Sequence, residues 1–510
     1  MFSHVLALIR LARAGYVMAR EGVFRGLEIP ALPTPARLPA RLANLIARRG
    51  RAETRARRLT SALERLGPSY VKFGQFLATR PDLVGQQVAS DLESLQDRLP
   101  PFGLEAARAE IESALGAPVE ALFARFDEPL AAASIAQVHR AEITDPGTGE
   151  TRTVAVKILR PGIERRFQRD VGSFAIAARL VEKFVPAAQR LRPVAVVDTF
   201  AESVRFEMDL RLEAAALSEL ADNIAEDEGF RVPAVDWARS ARSVLTTQWV
   251  EGRKLSDIAG ITEDGHDLDR LAATLIQSFL RHALRDGFFH ADMHPGNLFV
   301  DPDGLIVAVD CGIMGRLSPK ERRFLAEILF GFITRNYTRT AEVHFEAGYV
   351  PQSQSVAAFA QALRAIGEPI HGRDASQISM GRLLTQLFEV TDLFHMRTQP
   401  QLILLQKTMV VVEGVARTLD ARLDIWKTAD PVVRDWIARH LGPAGQIEQA
   451  AKGARALLNL ASDAPQMAAR IEALSETLAK DERRPRGAGL ALPLWIAALA
   501  LGILAVKALL

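Results

Sequence analysis

One cysteine, Cys311, in 510 residues excludes an intrachain disulfide and fits a reducing compartment. No Cys/His cluster suggests a zinc site. An excess of one charge is missing too. The 63 basic and 61 acidic residues leave a net charge of +2, so there is no nucleic-acid signature and no nucleic-acid partner is expected. A cleavable signal is not expected either, because the apolar run from Val5 to Ile9 is cut short by Arg10 and Arg13. What is present is ordinary for a folded protein: 48% hydrophobic and 24% charged residues, over a length that holds two or three domains.

The charge is uneven. Between Arg37 and Arg58 eight arginines stand against one acid, Glu53, and residues 3 to 24 have an amphipathic pattern. Each reads either as contact with lipid headgroups or as plain protein surface, solvated in the first case and packed on the rest of the chain in the second. The C-terminus is more specific. From Ala488 to Val506 run 19 residues without a charge. That is roughly 28 Å of helix, close to the hydrocarbon thickness of a bilayer. Lys480, Arg483, Arg484 and Arg486 precede it, and Lys507 follows. The positive-inside rule then predicts a transmembrane anchor at 488–508 in the inner (cytoplasmic) membrane, with the residues before 487 in the cytoplasm.

The chemistry concentrates in His290 to Gly312, HADMHPGNLFVDPDGLIVAVDCG. Asp292 and Asn297 are five apart, as in a kinase catalytic loop, where the Asp serves as base and the Asn as a metal ligand. Asp310 follows 18 residues after Asp292, closes the apolar strand Leu305 to Val309, and precedes Cys311-Gly312. It stands where the metal-binding Asp of a D-F-G turn would stand. Carboxylates and an amide oxygen are hard donors, which magnesium prefers. Asp301-Pro302-Asp303-Gly304 reads as a tight turn, so a hairpin returns Asp310 to Asn297 and the two can share an ion. Any one of these residues alone would read as an ordinary polar loop; the ordered set favours the metal and nucleotide reading.

A nucleotide site of this kind needs more upstream. Thr153 to Lys157 alternates as a strand and supplies the lysine, after a turn at Asp145 to Gly149 and a paired strand from Gln137 to Ile143. The phosphate-covering loop should be rich in glycine. Here it reads Ala131-Ala132-Ala133-Ser134-Ile135-Ala136-Gln137-Val138, with alanine at every glycine position. Alanine resists positive φ and its methyl hinders close approach to phosphate, so a more helical loop that holds nucleotide differently is expected. Phe206 to Glu213 reads as part of one long helix in which Asp209 and Glu213 share a face and Glu207 is turned away. Ser243 to Gly252 reads as a strand running into a hinge, with adenine bonding to backbone near Gln248 to Val250. After Asp310 there is no A-P-E segment. Ser318-Pro319-Lys320-Glu321 is a capping-box helix start six residues after Gly312, and residues 319 to 440 continue as helical pattern. No room remains for a protein-binding platform, so the acceptor is expected to be a small or lipid molecule, or water.

Lys72-Phe73-Gly74-Gln75 (K-x-G-Q), Thr79-Arg80-Pro81-Asp82-Leu83, Leu95-Gln96-Asp97, the alanine-rich loop, Glu207 and Asp209 (E-x-D) and Gln406-Lys407-Thr408 together resemble the UbiB family of atypical kinases over about residues 60 to 425. The resemblance implies an α+β, protein-kinase-like two-lobe fold. Its parts would be a helical extension at 1–114, a small lobe at 115–252, a large lobe at 253–440, a helical tail and hinge at 441–487 and the anchor. It implies that Lys72 and Gln75 project toward the nucleotide and pair with the E-x-D region, and that Lys157 pairs with Glu213, although Glu207 and Glu213 could exchange roles. Two positions depart from the family pattern: Cys311, where Phe is usual, and Ala216, where many members carry Asn. The expected cofactors are ATP and Mg2+. The expected partners are membrane lipids, prenylated quinone precursors and other ubiquinone-biosynthesis enzymes, with room for a homodimer. The expected activity is an ATPase or atypical kinase supporting ubiquinone biosynthesis; a small-molecule or lipid kinase and a nucleotide-switched scaffold are the alternatives.

Overall fold

Alternation along one strand organises the first sheet. In β3 (Thr151–Leu159), Val154, Val156 and Ile158 are buried, while Ala155 and Lys157 lie on the other face. β3 pairs antiparallel with β2 (Ala136–Thr144) and with β5 (Val244–Gln248), and β2 pairs with β1 (Arg125–Ala132), in the order β1-β2-β3-β5. The apolar face packs on Ala107 and Ile111 of a helix, Leu104–Leu115, and on Val119, Phe123 and Phe126. Full burial of each large apolar side chain in such a core is worth about 1.5–3 kcal/mol. That face is therefore fixed, and Lys157 is left on the open side.

The computed structural model describes residues 2–442 except 26–40, 42–43, 48–53, 79, 94, 96–99, 146, 186–188, 190, 370–385, 387–388, 392 and 397–399. The anchor expected at 488–508 lies outside the described residues, as do Thr79, Gln96 and Asp97. Among the described residues no helix is long and apolar enough to cross a membrane. The chain divides into two compact units, Met1–Trp436 and Ile437–Leu510. The sheets and the site belong to the first.

The extension includes α1 (Phe2–Arg20), α2 (Arg55–Leu66), α3 (Pro68–Ala78), α4 (Gln86–Glu93) and α5, the 104–115 helix already named. The K-x-G-Q residues sit on α3. Its Tyr70 and Phe73 meet Phe174 of α6 (Ile163–Phe184), and Phe73 and Phe76 meet Phe200 of α7 (Pro193–Glu207), at ring separations of 4.9–5.5 Å. Gly74 is forced by packing: a Cβ there would lie 2.6 Å from Leu95 and 2.8 Å from Leu63.

One sequence expectation fails beyond α7. The helix does not run through to Glu213. It stops at Glu207, and α8 (Leu210–Asn223) starts anew after Met208-Asp209. Asp209 takes extended dihedrals, caps α8 by accepting from Arg211 N–H, and forms an ion pair with the Arg211 guanidinium. A short polar side chain that competes for local backbone donors ends the helix, despite the helical spacing around it.

The second sheet carries the loop residues. β8 (Leu298–Val300) and β9 (Ile306–Ala308) form an antiparallel hairpin flanked by β6 (Arg253–Lys254) and by β4 (Phe230–Arg231), which runs parallel to β9. Asp301 sets the turn. Its buried carboxylate accepts from Asp303 and Leu305 N–H and pairs with Arg231 at 2.8 Å. β7 (Phe288–His290) pairs with β10 (Met314–Arg316) and brackets the loops. Helices surround this frame: α9 (Leu268–Arg281), α10 (Pro319–Ile333), α11 (Tyr337–Glu346), α12 (Val356–Gly367), α13 (Pro400–Leu419) and α14 (Ile425–His440). The α10 start has the expected capping box, with Ser318 and Glu321 bonding reciprocally and Pro319 in the first turn.

Candidate nucleotide and metal site

Three charges meet at the centre. Lys157 Nζ donates to Glu213 Oε1 at 2.7 Å and Oε2 at 2.9 Å, and to Asp310 Oδ2 at 3.2 Å. The choice between Glu207 and Glu213 is thereby made: Glu213, on α8, holds Lys157. Glu207, at the end of α7, pairs with Lys72 of α3 at 2.5 Å. The helix break at Met208-Asp209 separates the two acids. Gln75, on the same helix as Lys72, is half-buried and has no hydrogen-bond partner among the described residues.

One lysine serving two carboxylates shapes their titration. Enclosure raises the Glu213 carboxyl and the nearby Asp310 charge adds to that; Lys157 opposes both, and the balance is pushed up to about 7. Enclosure also acts on Asp310, but the Lys157 charge and the Gly312 N–H outweigh it and hold this carboxyl well below the usual range. Desolvation would lower Lys157, yet the two carboxylates raise it above its ordinary value. Asp310 is ionised and its side chain is 44% exposed, open to an incoming cation.

The hairpin delivers the other donors. Leu298 faces Ala308, and Val309 N–H donates to Asn297 O at 3.0 Å, so Asn297 and Asp310 end adjacent strands side by side. Asn297 Nδ2 donates to Asp292 O and to Asp292 Oδ2, both at 3.2 Å, which leaves the amide oxygen without a partner among the described residues. Asp292 is exposed, and its N–H donates to buried His290 Nδ1 at 3.0 Å. Among the described residues no three His, Cys, Asp or Glu side chains form a metal cage. One ionised carboxylate and one amide oxygen instead fit Mg2+ arriving with nucleotide phosphates, since this ion keeps waters and takes few protein ligands. The residues present therefore fit Mg2+ and ATP: Asn297 and Asp310 would hold the metal, and Lys157 the phosphates.

The alanine-rich loop is not helical. It is the tight turn of the β1–β2 hairpin, with Ala132 opposite Gln137 and Ala133 N–H donating to Ala136 O at 2.8 Å. None of its residues takes positive φ, so alanine fits without strain. Ser134, Ile135, Ala136 and Gln137 are buried. The register aligns Ala131, Val138 and Lys157 across three strands and turns Ala132 and Gln137 to the opposite face. The Gln137 side chain is engaged there by the Phe102 peptide, accepting at 2.9 Å and donating at 3.3 Å. Sequence reasoning missed what holds the turn. Arg160 donates through Nε (3.1 Å) and Nη2 (2.8 Å) to Ala133 O, and its N–H donates to Ile135 O. The only signal was an arginine opening the Arg160-Pro161-Gly162 turn after β3. At the hinge, Gln248 N–H donates to Ala234 O and Trp249 N–H to Thr153 O, whereas Val250 N–H donates to no backbone carbonyl among the described residues.

Cys311 is buried, and burial pushes its thiol well above its ordinary value. Thr408, in the Gln406-Lys407-Thr408 stretch of α13, is buried against the catalytic loop with its Oγ1 3.0 Å from Ala291 O.

The ABC1 atypical kinase-like domain matches residues 94–344, and the UbiB helical domain matches residues 363–424. The chain is 40% identical over 465 residues to the Probable protein kinase UbiB of Marinobacter nauticus, covering 90% of this chain and 84% of that one. It is 40% identical over 439 residues to the protein of the same name from Aeromonas hydrophila (85% and 80%), and 41% identical over 414 residues to that of Azotobacter vinelandii (79% and 76%). Among solved structures it is similar to that titled the complex structure of Rv3197-erythromycin from Mycobacterium tuberculosis. The TM-score is 0.54 at 25% identity, covering 78% of this chain and 98% of that chain.

Proposed function

The chain belongs to the UbiB family of atypical kinases, and from that premise we propose that it is a membrane-anchored ATP-dependent enzyme supporting ubiquinone biosynthesis. In this reading, ATP binding and hydrolysis promote access to prenylated quinone precursors for the other enzymes of that synthesis. The observation that carries the reading is the Lys157–Glu213–Asp310 cluster placed directly ahead of a short, closed connection. Met314 to Arg316 is already paired with β7, and Ser318 already caps α10. Charges suited to a triphosphate are assembled, and among the described residues no platform for a protein acceptor follows directly after them.

Each residue has a defined task. Lys157 neutralises phosphate charge from a position fixed by Glu213. Asn297 and Asp310 would hold the magnesium through oxygen, and the ion would supply charge neutralisation at the phosphoryl group. Asp292 accepts a proton from the attacking hydroxyl or water. Arg160 fixes the turn that covers the phosphates. Lys72, held by Glu207, stations the extension at the site, where it disfavours a bulky acceptor.

ATP turnover by purified wild type and Asp292→Asn tests the catalytic part: a loss of about 100-fold or more is expected for removing a base of this kind. Equal turnover by the two proteins would point to a nucleotide-switched scaffold instead. Transfer of label from the γ-phosphate to a prenylphenol, in place of release as phosphate, would mark a small-molecule kinase. A deletion strain with normal ubiquinone would refute the pathway assignment.

A further inference from the structure

We infer that Thr408 is a positioning residue for Asp292, through which α13 acts as a backstop for the catalytic loop. The inference rests on the ATP-turnover reading above.

The peptide joining Ala291 to Asp292 is held at both of its polar groups. Its N–H, from Asp292, donates to His290 Nδ1 at 3.0 Å. Its carbonyl, from Ala291, accepts from Thr408 Oγ1 at 3.0 Å. One peptide away, Ala291 N–H donates to Ile313 O at 2.9 Å, which ties the same point to the loop that carries Asp310. A peptide is planar, so two opposed hydrogen bonds fix its rotation about the chain axis. That rotation sets the direction in which the Asp292 side chain leaves the backbone. Asn297 then grips Asp292 from the cleft side.

Thr408 is not a routine helix threonine. A threonine hydroxyl often bonds back one turn, and Thr408 Oγ1 does lie 2.8 Å from Leu404 O. One hydroxyl proton serves both carbonyls as a bifurcated bond, and what the helix habit does not explain is the second carbonyl, far away in sequence and next to Asp292. Thr408 is 1% exposed and Ala291 6% exposed, so solvent has little access to replace the bond. A carbonyl left unpaired in such a place is costly, and the loop would rotate to recover a donor. The helix is also well placed to bear on the loop, because it packs on α9 and on β10, the strand paired with β7 just ahead of Ala291. Lys407, the neighbour of Thr408, is exposed, so of these two it is the threonine that is buried against the loop.

The test uses the full-length protein in detergent with Mg2+ and ATP. Thr408→Val keeps the side-chain shape and removes the hydroxyl; Thr408→Ser keeps the hydroxyl. For Thr408→Val, kcat should fall about tenfold or more with KM for ATP changed by less than about twofold, since a misplaced base costs rate more than affinity. Thr408→Ser should recover most of the rate. In an Asp292→Asn background, Thr408→Val should cost nothing further, because it acts through Asp292. Hydrogen–deuterium exchange at the Asp292 amide should quicken in Thr408→Val and not in Thr408→Ser. An equal rate loss in both backgrounds, a change confined to KM, or a Ser variant as slow as Val would overturn the assignment. Should wild type itself turn over no ATP, the proposed function fails separately. The exchange measurement then decides alone, and an unchanged Asp292 amide would end the inference.

Discussion

Glu213 is the residue whose environment makes the sharpest quantitative demand. Its carboxyl is raised to about 7, above its ordinary value, because enclosure and Asp310 together outweigh Lys157. Between the ordinary glutamate range and 7, the folded state binds more proton than the unfolded state. Stability from this group is therefore full below about pH 4.5 and is lost as pH rises to 7, with a slope of at most about 1.4 kcal/mol per pH unit. Asp310 has the opposite sign, and its effect falls at lower pH, where its unfolded counterpart would take up a proton. Urea midpoints of wild type and Glu213→Gln at pH 5 and pH 7.5 isolate the contribution. The wild type should lose stability relative to the variant on going to the higher pH; a constant difference would show that Glu213 does not titrate in this window. Most of this residue-scale site was legible in the sequence. Lys157, Asp292, Asn297 and Asp310 announce themselves by spacing, because the chemistry requires those types in that order. The sequence leaves the partner of Lys157 open between two glutamates, since helical periodicity around Asp209 conceals a cap that splits the helix. Arg160 is faint in the sequence for another reason: its targets are backbone carbonyls, which leave little trace in residue type.

At the scale of elements, the strands followed their patterns and the connections did not always follow theirs. β3 and the β8–β9 hairpin lie where alternation and the Asp301–Gly304 turn put them. The alanine-rich turn is a plain hairpin, because paired strands on either side close it too tightly for a helical turn. Gly252 is the connection with least tolerance. Its φ is +135°, and a Cβ there would stand 2.1 Å from Val300 O, a backbone atom of β8. The hinge after β5 thus passes directly against the hairpin that carries Asn297 and Asp310. Gly252→Ala should destabilise the protein by about 3 kcal/mol or more, since both the dihedral and the contact are violated and the obstructing atom is main chain. Thermal unfolding measures this; a loss below about 1 kcal/mol would mean that hinge and hairpin separate easily.

For the whole molecule, the proposed membrane attachment divides cleanly between the ends of the chain. α1 presents Val5, Leu6, Leu8 and Ile9 to the outside, each at least half exposed, while Ala7 and Ala14 face inward. The uncharged stretch from Ala488 to Val506 is the stronger candidate for holding the protein in a bilayer. Full-length protein should resist alkaline carbonate extraction, and a chain ending at residue 487 should be released by it; release of both would remove the anchor from the proposal. Lys157 has a further consequence for the molecule as a whole. It stands between Glu213 and Asp310 as an internal counter-ion, so the polypeptide itself offsets part of the negative charge at the centre. Folding is then expected to proceed without magnesium, unlike a small zinc domain that unravels in a chelator. EDTA should leave the melting temperature unchanged to within about a degree, and a drop of several degrees would mean that the ion is part of the scaffold.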